Sequence, residues 1–188
     1  MKEIALHILD ITQNSIRAGA DEIRITLSES LSTNTLTLCI ADNGRGMDQE
    51  MCAKATDPYF TSRTTRRVGM GLPLLQMNAR LSGGEMTISS VPEQGTSVTA
   101  TFGYNNIDRP PLGDVGGTIA LIILSNPDIN VIYTHICGES EWRISTYEIK
   151  EQLGEEAVKD LSIVRYIREI IYENAAELRN NKAEYDKY

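Results

Sequence analysis

The sequence predicts an α+β protein, a two-layer sandwich of helices on a mixed, mostly antiparallel sheet. Short runs such as "EIRITLSES" and "TLTLCIA" alternate apolar and polar residues, as half-buried strands do. Other segments repeat apolar residues every three or four positions, and Gly-, Pro- and Asn-rich clusters separate the two kinds. With 188 residues, 41% hydrophobic and 23% charged, the chain can bury one good core, or one core and a small appendage.

Residues 3–18 place Ile4, Ile8, Ile11 and Ile16 near helical spacing, and "AGAD" punctuates the end. Ile23, Ile25 and Leu27 alternate in the next run, and Leu36, Leu38 and Ile40 in the one after, so the pair reads as a hairpin through "SLSTN". "DQEMCAKATD" reads as a short helix with Asp48 as N-cap. "LPLLQMNARLSGG" reads as a longer helix, with Pro73 in its first turn and Gly83-Gly84 as its stop. "EMTISSV" and "TSVTATF" add two strands. Residues 1–104 thus form one expected domain, and 105–188 an appendage of linker, β-hairpin and helix. The linker is "NNIDRPPLGDVGG"; "TIALIILS" and "INVIYTHI" flanking "NPD" are the expected hairpin, and "EWRISTYEI" offers a third strand. Beyond Glu155, Val158, Leu161, Val164, Ile167, Ile171, Ala175 and Leu178 mark an amphipathic helix, expected to dock either on its own sheet or on a second copy as a homodimer.

Composition excludes several classes. The net charge is −8, and most of the acidity lies beyond residue 104, so nonspecific nucleic-acid binding is not expected. No apolar run suffices to cross a bilayer, and the start "MKEIALHILD" carries acids too early for a signal peptide; a cytoplasmic location without membrane attachment is expected. Cys39, Cys52 and Cys137 form no CxxC pair, which fits reduced thiols.

Four short pieces carry chemistry. On the first helix Asp10 and Asn14 are i and i+4, with Arg17 a further three residues on, so all three project from one face. An amide oxygen suits Mg²⁺, a guanidinium neutralises phosphate, and a carboxylate can orient water; a solvated polar face is the plainer alternative. "ADNGRGM" (41–47) follows a strand. "GMGL" (69–72) opens a helix, where backbone N–H groups can meet phosphate. "EQGTSV" sets Gly95-Thr96 at the start of a strand. No Walker sequence occurs.

Taken in order, Asp10-xxx-Asn14, Asp42-x-Gly44-x-Gly46, "DPYFTSRT", Gly69-x-Gly71 and Gly95-Thr96 resemble the Bergerat-fold ATP-binding domain of the GHKL superfamily. Its members include gyrase-type topoisomerases, heat-shock chaperone ATPases, sensor histidine kinases and mismatch-repair ATPases. "GMGLPLLQMNARLSGGEMTISSVPEQGTSVTATF" looks most like the catalytic domain of histidine kinases, and "QNSIRAGADEI" is similar to the mismatch-repair branch. The resemblance spans 1–104. It implies that Asp42 accepts from the exocyclic amine of adenine, that Gly44, Gly46 and Met47 lie against the base, and that Thr96 supports the same edge. It implies that Asn14 coordinates Mg²⁺ and that Arg17 faces the phosphates. Residues 58–71 would be an ATP lid, with Phe60 and Thr61 in its body and Gly69, Met70, Gly71 and Leu72 at its foot. Asp10 stands where relatives carry glutamate or asparagine; it is one methylene shorter than glutamate, so slow or absent hydrolysis is expected. His7 shares a helix with Asp10 and cannot easily turn toward a phosphate held there, so a packing role is expected.

The function expected is that of an Mg-ATP-binding, histidine-kinase-like protein, either a slow ATPase or a kinase or regulator acting on a separate protein partner. The alternative is a non-catalytic module that senses ATP against ADP through its lid and thereby controls a partner.

Overall fold

The computed structural model describes residues 2–56 and 70–185. The expected lid residues Phe60, Thr61 and Gly69 lie outside them. Six strands, β1 (Glu22–Ser30), β2 (Thr35–Asp42), β3 (Met86–Val91), β4 (Gly95–Gly103), β5 (Asn130–Cys137) and β6 (Ser140–Ser145), form one sheet in the order β3-β4-β2-β1-β5-β6. Four pairings are antiparallel, and β1–β5 is parallel. The helices are α1 (Ile4–Arg17), α2 (Gln49–Lys54), α3 (Gly71–Leu81), α4 (Val115–Ser125), α5 (Thr146–Leu153) and α6 (Leu161–Tyr185).

Alternation decides the layers. Ile23, Ile25 and Leu27 on β1, Leu36, Leu38 and Ile40 on β2, Ala100 and Phe102 on β4, and Val131 and Tyr133 on β5 are fully or nearly fully buried. Ile4, Ile8 and Ile11 of α1, Leu75 and Ala79 of α3, Ile119 and Ile123 of α4, and Ile167 and Ile171 of α6 join them in one core. Each Ile, Leu, Val or Phe among them contributes roughly 1.5–3 kcal/mol by leaving water, so the helices and the sheet's inner face are held as one unit. The expected α+β two-layer sandwich is the observed fold.

One expectation is overturned. "TIALIILS" is not a strand; it lies in α4, and β5 pairs with β6 instead, across a turn with Gly138 at φ 61°. The run is rich in β-branched residues, which favoured a strand reading. Yet Val115, Ile119, Ile122 and Ile123 also follow helical spacing, and the Asp114 carboxylate caps the helix by accepting from Gly117 N at 2.7 Å. A helix apolar on most sides is stable here because it is sandwiched between α1 and α6. Gly116 lets α6 approach closely, since a Cβ there would lie 3.0 Å from the Arg168 carbonyl oxygen. The expected appendage therefore continues the same sheet through β5, with α6 laid along α4.

The segment before α4 positions α1. Two of α1's first N–H groups donate to carbonyls of that segment, Ile4 to Pro111 and Ala5 to Leu112, both at 2.9 Å.

Candidate functional site

A cleft of about 190 Å³ opens at the end of the sheet where β2 finishes and β4 begins. It is lined by Asp10, Asn14 and Arg17 of α1, by Asp42 at the end of β2 with Gly46 and Met47 beyond it, by Gly71 and Leu72 of α3, and by Thr96. These are nine of the residues singled out from the sequence, drawn from four separate motifs onto one surface. Gly44 is buried beneath that surface against Ala18, and Met70 is 57% exposed outside it.

Asp42 is the fixed point. Its Oδ1 accepts from Gly44 N at 3.0 Å and Thr96 N at 3.3 Å, and its Oδ2 from Ser15 Oγ at 2.6 Å. Three donors from three elements lock the carboxylate, and an ionised carboxylate still has acceptor capacity for a ligand. Thr96 Oγ1 lies 2.9 Å from Ser90 Oγ, which in turn accepts from Met47 N at 2.8 Å. The hydroxyl pair thereby ties the loop after β2 to the β3–β4 edge.

Two glycines shape this corner by backbone demand. Gly46 has φ 63° and Gly95 φ 102°, and a Cβ on either would collide with a carbonyl, that of Val91 and that of Asp42 respectively. The tight approach these glycines serve is thus to other backbone.

At the far end Asp10 meets α3. A Cβ on Gly71 would fall on Asp10 Oδ2, so the carboxylate rests directly against the first residue of that helix. Asn14 Oδ1 accepts from Arg17 Nη1 at 3.2 Å. His7, one turn before Asp10, is fully buried, and its Nε2 lies 2.8 Å from Asn78 Nδ2 of α3. Burial holds His7 down at about 4, against a partial upward pull from Asp10, so it is neutral near pH 7. Its placement between helices is a packing position.

Ser15, Ser90, Arg45 and Met51 also line or support the cleft and are not among the residues expected from the sequence. Ser15 carried a signal: it continues the Ile4, Ile8, Ile11 stripe, and a hydroxyl on an apolar stripe needs a buried partner. Ser90 carried none, because its role depends on a cross-strand turn.

Comparison with known proteins gives the family and the fold. Residues 2–106 match the family model described as histidine kinase-, DNA gyrase B-, and HSP90-like ATPase, and the chain belongs to that family. Among curated relatives it is similar to a sensor protein kinase, FleS, of Pseudomonas aeruginosa, at 34% identity over 92 residues, covering 49% of this chain and 23% of that protein. It is also similar to sporulation kinase D of Bacillus subtilis, at 29% over 95 residues, covering 50% and 19%. The chain therefore matches less than a quarter of either relative's length. A crystal structure of the N-terminal domain of a DNA repair protein shares the fold, with TM-score 0.57 at 15% identity, covering 77% of this chain and 52% of that one. No helix among the described residues is long and apolar enough to cross a membrane.

Proposed function

We infer that the chain binds ATP with Mg²⁺ in this cleft and uses the nucleotide to act on a separate protein, as a kinase or regulator, or hydrolyses it slowly. The observation that carries this is the locked Asp42 carboxylate lining the cleft. An acceptor held in place favours a base bearing an amine and disfavours one presenting a carbonyl there. Thr96, with a hydroxyl able to donate or accept, supports the same edge.

The donor set fits a metal-bound polyphosphate. Asn14 supplies a hard amide oxygen, Arg17 a cation beside it, and α3 begins at the cleft wall. Mg²⁺, when bound, neutralises phosphate charge and orients the chain of phosphates. Arg17 then exchanges its contact with Asn14 for one with phosphate. The names of the sensor-kinase relatives favour a protein as phosphoacceptor or regulated partner.

A second reading, nucleotide sensing without turnover, has its own support. Asp10 is short for a water-positioning acid and is already set against Gly71.

Isothermal titration with Mg-ATP and Mg-ADP, followed by an assay with γ-labelled ATP, tests both. Saturable binding that Asn14→Ala weakens in the presence of Mg²⁺ is expected. Released phosphate or a labelled partner then supports catalysis, and binding without either supports sensing. No heat with either nucleotide would overturn the assignment.

A further inference from the structure

We propose that β6 is a pairing edge: a second copy of this chain lays its own β6 antiparallel to it, joining two six-stranded sheets into one. The strand lies beyond residue 106, where the match to the family model ends, and its role is independent of the nucleotide assignment.

The two edges of the sheet are treated differently. At one end α2 packs against β3 and turns the Cys52 thiol toward the Ile88 carbonyl oxygen, 3.8 Å away. At the other end β6 is bonded to β5 on one side. On its other side, no hydrogen bond to the backbone of Glu141, Trp142 or Arg143 is found among the described residues. An open row of N–H and C=O groups is a template for another strand.

Edges are commonly blunted by charge, and β6 carries two exposed charges on its outer face, Glu141 and Arg143. Their opposite signs change the outcome. Two identical strands that continue one sheet are related by a two-fold axis perpendicular to it, and residues directly opposed share a face. The axis therefore passes through a residue of β6, never between two. Placed at Trp142, it sets Glu141 opposite the partner's Arg143 and Arg143 opposite the partner's Glu141. Placed at either charged residue, it sets that charge against itself, which is unfavourable. One register is selected and its neighbours are penalised.

The inner face agrees. Trp142 is packed half-buried on the core and would meet the partner's Trp142 across the axis, where a large aromatic gains by leaving water. Arg143 already donates from Nη2 to Glu148 Oε1 at 2.8 Å, and its remaining donors are enough for the partner's Glu141 as well. The cleft, at β2 and β4, is separated from this edge by β1 and β5, so pairing leaves it open in both copies.

The test is analytical ultracentrifugation of the full chain as wild type, Glu141→Arg, Arg143→Glu, and an equal mixture of the two variants. Wild type should sediment as a dimer. Either substitution alone sets like charges against each other at both opposed positions and should weaken the dimer about tenfold or more. The mixture should restore wild-type affinity as a heterodimer, because acid again faces base. Wild type that stays monomeric at its highest soluble concentration overturns the proposal. So does a dimer that neither substitution weakens, which would use another face, or one that mixing does not restore. If Arg143→Glu fails to fold by circular dichroism through the loss of its contact with Glu148, Glu141→Arg is compared with the double swap Glu141→Arg/Arg143→Glu. The single variant should then dissociate and the swap should pair as wild type does; equal association of the two overturns the proposal.

Discussion

Two carboxylates, on neighbouring strands at opposite ends of the sheet, are held in opposite ways. Asp42 closes β2 at the cleft and takes three neutral donors, with no ion-pair partner for it among the described residues. Glu29, near the far end of β1, is 4% exposed. It accepts from His135 Nε2 at 2.8 Å, from Tyr104 Oη at 2.8 Å and from Arg179 Nη2 at 2.5 Å, with Arg179 Nε 3.2 Å from both its oxygens. Burial alone would push Glu29 up, but hydrogen bonds from His135, Arg179 and Tyr104, with the Arg179 charge, hold it down at about 2. Every lone pair of Glu29 is consumed in joining β1 to β5, α6 and the turn after β4. Asp42 is equally fixed yet keeps acceptor capacity toward a cavity. The same functional group thus serves as a tie at one end and stands open to a cleft at the other, and what separates them is whether a cation fills the remaining space.

Substitutions at the two ends should therefore separate stability from binding. Glu29→Ala should have the largest effect on folding. It leaves Arg179 and His135 facing an emptied buried site, a loss of about 3–5 kcal/mol, read by chemical denaturation. If instead stability barely moves and nucleotide affinity collapses, the division of labour is wrong. Gly95→Ala should come next. Its φ of 102° and the collision with the Asp42 carbonyl should cost about 3 kcal/mol or more. Unlike Glu29→Ala, it should also abolish nucleotide binding, because it displaces Asp42.

Acid should act on the two halves in sequence. His7 has a folded pKa of about 4 below its ordinary 6.5, so the unfolded chain binds the extra proton between those values and stability falls as pH drops from about 6.5 to 4. Glu29, depressed from 4.5 to about 2, stabilises above 4.5, and that contribution is lost as pH falls toward 2. Denaturation midpoints should decline over both windows, and His7→Gln should flatten only the upper one. The smallest effect belongs to Ser15→Ala. Losing one charge-assisted bond to Asp42 should cost roughly 1.5–3 kcal/mol, divided between folding and nucleotide affinity, measured by paired denaturation and titration.

Much of the cleft was legible because its parts are local. Asp10 and Asn14 share a helix face by spacing alone, and the glycines at 44, 46 and 95 announce turns wherever they occur. Ser90 and Arg179 were not legible, because their partners are six and 150 residues away and meet only through strand register and helix docking. The segment 115–125 reads as linker and strand, not helix, for a related reason. Its β-branched composition argues for a strand, and only burial between α1 and α6 overrides that preference. In the same way, parallel pairing of β5 with β1 is invisible to patterns that register only neighbours along the chain.

The role proposed for Asp42 is that of the acceptor that reads the base. Titration of Mg-ATP into wild type and into Asp42→Asn, with folding of both checked by circular dichroism, addresses it most directly. Saturable binding by wild type and a loss of at least about a hundredfold in the variant is expected, since a fixed, half-buried acceptor is replaced by a group that can turn a donor toward the amine. A folded Asp42→Asn protein that binds Mg-ATP as tightly as wild type would contradict it.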